Sequence, residues 1–147
     1  MLKFAYVRVL EISADDLVAA LLLASRTEHV SLLDSCGVTH LGSHKLIAGV
    51  RPSTVLELSP DDARYTLEIV DALFAQPEKA VIFTLSYDFG VKLQSIRHSI
   101  GPWNEPDLFI AVYDVLLVHD YDTGDTFLTG NADKFDEIEA LLSDLRR

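Results

Sequence analysis

Apolar and polar positions divide the chain into short strands, interleaved with three to four stretches that read as helices. The longest β-rich run is Ile110 to Tyr121, entered through Pro106-Asp107 and Leu108. Val112, Asp114, Leu116, Val118 and Asp120 point one way along it, and Tyr113, Val115, Leu117, His119 and Tyr121 the other. Both sets are bulky and apolar mid-run, which predicts one long central strand covered on both sides. Tyr121-Asp122-Thr123-Gly124-Asp125 then reverses the chain into Thr126 to Thr129, with Gly124 where a type I turn with a bulge needs positive φ.

The remaining elements follow from local signals. Phe4 to Ile12 reads as a strand of aromatic and β-branched residues. Ser13 with Asp16 forms a capping box that starts a helix at Ala14, running to about Ser25 and apolar nearly all round from Leu17. Val30 to Cys36, His44 to Val50 and Thr54 to Leu58 read as three strands of an antiparallel meander, with Gly37 to Ser43 as a loop. Ser59-Pro60-Asp61-Asp62 predicts a helix start, with Ala63, Leu67, Val70 and Phe74 as its buried face and Gln76-Pro77 as its end. Ala80 to Leu85 is a continuous apolar strand, and Tyr87 to Ile96 contains a short helix. His98 to Asp107 is a loop. Asn131 caps a last helix that buries Phe135, Ile138, Leu142 and Leu145 and closes on Arg146-Arg147. Strands interleaved with three to four helices predict an α+β fold around antiparallel sheet, as a single domain over residues 1–147.

Composition narrows the function classes. A net charge of −11 leaves no cationic footprint for nucleic acid or an anionic membrane. The longest apolar run, Leu17 to Ala24, is too short to span a bilayer, and the first residues lack a signal-peptide layout. The expected location is therefore the cytoplasm. One cysteine, Cys36, excludes an internal disulfide and a cysteine-only metal cluster, and reads as buried and structural.

Candidate chemistry is sparse. His119 and Asp120 adjoin in a strand and face opposite sides, so a shared metal is not expected and the pair reads as a solvated strand end. Asp15-Asp16 and Asp61-Asp62 sit at helix starts, where capping accounts for them. No phosphate-cradling loop, serine elbow or zinc spacing occurs, and no catalytic residue is assigned. One segment stands apart. Leu32-Leu33-Asp34-Ser35 runs from a strand into a polar loop that returns through Ser43-His44-Lys45. Its carboxylate, hydroxyl, imidazole and ammonium would suit a zwitterionic small molecule; an ordinary polar loop is the other reading.

That segment also carries a resemblance. Leu32-Leu33-Asp34-Ser35, Leu41-Gly42 and Ile47 through Pro52 resemble the N-terminal region of chorismate-utilising synthase component I. The family includes para-aminobenzoate (aminodeoxychorismate) synthase and anthranilate synthase. Tyr87-Asp88-Phe89-Gly90 is similar to the family's Tyr-Asp-Leu-Gly. Pro106-Asp107-Leu108-Phe109, Val112-Tyr113-Asp114 and Val118-His119-Asp120 resemble its run before the hairpin. The matches keep their order from about residue 30 to 131. The family's glycines before Tyr-Asp are not kept: Lys79, Ala80, Phe83 and Ser86 stand there. Its Arg after the loop is replaced by His44 or shifted to Lys45.

The resemblance implies the N-terminal half of the component I fold, a regulatory and scaffold domain that is not catalytic alone. Chorismate and magnesium would belong to a C-terminal domain of a few hundred residues, absent from these 147, so no cofactor is expected in this chain. The implied partners are that catalytic domain or a second copy, and a glutamine amidotransferase subunit. In the family this half lines a tryptophan pocket; by position Leu33, Asp34, Ser35, His44 and Lys45 would carry over. Asp34 stands where the family has Glu, a longer arm for holding an amine. The expected branch is para-aminobenzoate synthesis, for folate. The alternatives are the anthranilate branch, for tryptophan, and a stand-alone amino-acid-sensing module. Association through an uncovered apolar surface, on the first helix or the two-sided strand, is also expected.

Overall fold

The computed structural model describes residues 6–38, 44–59, 62–75, 79–95 and 105–145. Within them the fold is α+β, with four helices and eight strands in two antiparallel sheets.

The larger sheet takes β1 (Tyr6–Leu10), β2 (Val30–Asp34), β3 (Lys45–Val50), β7 (Val115–Asp120) and β8 (Thr126–Gly130), in the order β1-β8-β7-β3-β2. The smaller takes β4 (Thr54–Leu58), β5 (Ala80–Leu85) and β6 (Leu108–Tyr113), in the order β4-β6-β5. The expected meander therefore stops after two strands. β4 leaves β3 and pairs with β6, and Ser53, just before β4, donates its N–H to the Val112 carbonyl at 2.7 Å.

The single long strand expected over Ile110 to Tyr121 is two strands, broken at Asp114. β6 is the middle of one sheet and β7 the middle of the other. At the break the Asp114 carbonyl accepts the Asn131 N–H at 2.8 Å, and Gly130 (φ +130°) lies so close that a Cβ there would strike that carbonyl. The two-sided apolar pattern has its explanation here. Leu108, Ile110 and Val112 of β6 form one core with Ile69, Val70 and Leu73 of α2 (Ala63–Phe74). Val115 and Leu117 of β7 join a second core with Leu17 and Leu21 of α1 (Ala14–Ala24) and Phe135, Ile138 and Leu142 of α4 (Phe135–Leu145). In β6 the even positions serve one core and in β7 the odd positions serve the other, and both strands are mostly buried rather than left uncovered.

Helix starts and faces show where local signals suffice. Ser13 caps α1, accepting the Asp16 N–H at 3.2 Å while its hydroxyl donates to the Asp16 carboxylate at 2.9 Å. α1 buries one stripe, Leu17, Ala20, Leu21 and Ala24; Leu22 and Leu23 are exposed, so it is not buried all round. α2 is capped by Asp62, whose carboxylate accepts the Arg64 N–H at 2.9 Å; Pro60 and Asp61 lie outside the described residues. Ser59, expected as the cap, accepts the Asp107 N–H instead. The buried face of α2 is Ala63 and Thr66 with Ile69, Val70 and Leu73 partly covered, while Leu67 and Phe74 are exposed.

The Gln76-Pro77 helix end, Leu41-Gly42 and Arg146-Arg147 lie outside the described residues, as does most of the loop before Asp107. α3 (Tyr87–Leu93) is the expected short helix, capped by Ser86. Asn131 caps a 3-10 turn, Ala132–Lys134, that runs into α4. Among the described residues no helix is long and apolar enough to cross a membrane.

Candidate functional site

The residues singled out after β2 collect at one end of the larger sheet, where strand register decides which of them meet. Asp34 pairs with Leu46, and Leu46 lies wholly buried in the core under α1. The Asp34 side chain therefore shares the helix-covered side of the sheet. Leu33 pairs with Ile47, and Lys45 with Asp120, on the opposite side. The carboxylate and the ammonium are near neighbours on opposite faces.

Each charged group has a partner from the β7–β8 hairpin. Asp34 Oδ1 accepts the Tyr121 hydroxyl at 2.8 Å and the Cys36 N–H at 2.7 Å. Lys45 Nζ donates to the Asp120 carboxylate, which also accepts the Asp122 N–H at 3.0 Å. His44 Nδ1 lies 2.9 Å from Asp122 Oδ1. The backbone adds a Tyr121 N–H to His44 carbonyl bond of 3.0 Å and a Ser35 N–H to Lys45 carbonyl bond of 3.2 Å. The Ser35 hydroxyl oxygen is buried without a hydrogen-bond partner. Leu33 is exposed.

The electrostatics follow these contacts. Lys45, through its hydrogen bond, holds the Asp120 carboxyl below its ordinary range, and the Asp122 N–H helps. Burial first, then the Asp34 carboxylate, push the Tyr121 phenol up to about 12. The negative charge of Asp34 raises the Cys36 thiol. That cysteine is exposed, not buried as its sequence context suggested. It takes a left-handed backbone (φ 52°) beside Gly37 (φ 63°), and the resulting turn faces outward.

His119 is likewise not a solvated strand end: it is buried on the helix-covered side. The Thr126 hydroxyl donates to the Ile12 carbonyl at 2.7 Å, so its oxygen is left to accept from His119 Nδ1 at 2.8 Å. This assigns the proton to Nδ1. His119 and Asp120 face opposite sides, and among the described residues no group of three or more His, Cys, Asp or Glu is placed to hold a metal ion.

Tyr121 is the member that sequence reading missed. Its only signal was position, as the first residue of the hairpin turn on the odd-numbered side of β7. A separate open hollow of about 410 Å³, lined by Ser86, Tyr87, Asp88 and Glu105, lies beside α3.

Comparison with known protein families finds no match, and comparison with curated proteins finds none either.

Proposed function

We propose that this chain is the N-terminal regulatory and scaffold domain, or subunit, of a para-aminobenzoate (aminodeoxychorismate) synthase component I, serving folate synthesis and not catalytic by itself. The observation that carries the reading is that segments resembling that family, far apart in sequence, meet in space. Leu33 of β2 pairs with Ile47 of β3, which pairs with Val118 of β7. Separately, where β6 of the smaller sheet begins, the Tyr87-Asp88-Phe89-Gly90 helix is tied to the Pro106-Asp107 step. Ser86 N–H donates to the Asp107 carbonyl at 2.9 Å, and Lys92 Nζ to its carboxylate at 2.6 Å. Asp107 is almost wholly buried, so a charge-assisted bond there is a structural tie and not a surface pair.

The same reading gives Asp34 an effector role, as the anchor for the ammonium group of an amino acid of the tryptophan type. The resemblance also implies Leu33, Ser35, His44 and Lys45, but Leu33 and Lys45 lie on the opposite face of the sheet from Asp34 and do not meet the same ligand. The Asp34 site is exposed to solvent, and a charge-assisted contact there is worth far less than the roughly 1.5–3 kcal/mol of a shielded one. Affinity for L-tryptophan should be no better than about millimolar, near −4 kcal/mol. Calorimetric titration of the parent chain and Asp34→Asn tests this. Asn keeps an acceptor for the Cys36 N–H and removes the charge. Weak binding that disappears in the variant supports the effector role; binding unchanged by the substitution rejects it.

The second reading is a stand-alone amino-acid sensor. The tie between Asp34 and the hairpin favours it, because the Tyr121 side chain joins an exposed carboxylate to the end of the middle strand of the sheet.

A further inference from the structure

We propose that Tyr121 is a built-in occupant of the Asp34 site, whose hydroxyl holds the carboxylate that an incoming ammonium group needs. The inference rests on the effector role given to Asp34 above. The tyrosine ring is held in place independently of its hydroxyl. It packs against the core under α1, and meets the His119 ring edge-on with centroids 4.9 Å apart. It also lies over Gly37, where an added Cβ would sit 3.5 Å from the ring. Its N–H is fixed to the His44 carbonyl at 3.0 Å. The hydroxyl is therefore delivered to Asp34 Oδ1 by contacts that persist without it.

The consequence is competition. Oδ1 already accepts two hydrogen bonds, from Cys36 N–H and from Tyr121. A ligand ammonium draws on the same negative charge, so it competes with the Tyr121 hydroxyl, the one of those two donors that is a side chain. Binding then costs the Tyr121–Asp34 bond. Because Tyr121 follows β7 directly, losing that bond also frees one of the ties between the hairpin and the β2 end. Tyr121 is thus a specificity-determining residue: it sets a threshold that a weakly held amine does not pass.

Tyr121→Phe removes the hydroxyl and keeps the ring on Gly37, His119 and the core. The full chain, Tyr121→Phe and Asp34→Asn are titrated with L-tryptophan by calorimetry near neutral pH, with circular dichroism confirming that each is folded. The expected result is about fivefold tighter binding in Tyr121→Phe, the equivalent of one net hydrogen bond, and loss of binding in Asp34→Asn. If Asp34→Asn loses binding but Tyr121→Phe binds no tighter than the parent, competition is overturned and the effector role stands. If Asp34→Asn binds like the parent, the effector role fails and this inference with it.

Discussion

Asp34 and Tyr121 are 87 positions apart and share a hydrogen bond of 2.8 Å. Asp34 was legible because it ends an apolar run at the mouth of a polar loop. Tyr121 was not, since its neighbour depends on two successive strand pairings, β2 with β3 and β3 with β7. Register is a property of the assembled sheet, and a one-residue slip would turn this side chain away. The same limit explains Cys36 and His119, whose exposure is set by a turn and by a hairpin partner. The contact has a titration signature. The Tyr121 phenol is held at about 12, and the difference in ultraviolet absorbance between the parent and Tyr121→Phe should isolate it from the other four tyrosines. In Asp34→Asn the value should fall back toward 10, stopping short of it because burial, the larger cause, remains. The unfolded chain releases this proton near 10 and the folded one near 12, so stability falls as pH rises through that window. A Tyr121 that ionises near 10 in the parent contradicts the geometry.

Among the elements, those with a local cause were readable: the Ser13 cap, the Asn131 cap, the Gly124 turn and the apolar run of β5. The departures at β4 and Asp114 have non-local causes, because both depend on which strand takes which partner. Gly49 shows how the two sheets are joined. A Cβ there would come within 2.6 Å of the Tyr113 ring, which is completely buried and donates its hydroxyl to Ser31 Oγ at 2.7 Å. Gly49→Ala should cost about 1–3 kcal/mol by overpacking, read as a lower denaturant midpoint with an unchanged slope. Gly90, in the segment resembling the family's Tyr-Asp-Leu-Gly, has nothing within 4 Å of such a Cβ. Gly90→Ala should therefore stabilise α3, by up to about 1 kcal/mol. Equal effects at the two glycines would show that the packing between the sheets is not as described.

At the scale of the molecule, one face of the larger sheet is distinctive. Register aligns Val9, Phe127, Val118, Ile47 and Leu33 in a row across five strands, on the side away from α1 and α4. The row carries no charge in a chain whose net charge is −11. Its ends are open, with Val9 68% and Leu33 54% exposed, and Val7 beside Val9 is 61% exposed. Exposed Leu22 and Leu23 of α1 add a smaller apolar area on the opposite side. The middle of the row is covered, with Val118 buried, so under the proposed scaffold reading its open ends are where a partner would dock: a chorismate-binding catalytic domain, with a second copy of this chain as the competing occupant. Chorismate turnover, with ammonia and magnesium supplied, tests the scaffold role most directly. The purified chain alone should give no product, and adding it to a separately produced chorismate-binding domain should speed product formation. Turnover by the chain alone, or a catalytic domain whose rate is indifferent to it, would rule the scaffold role out.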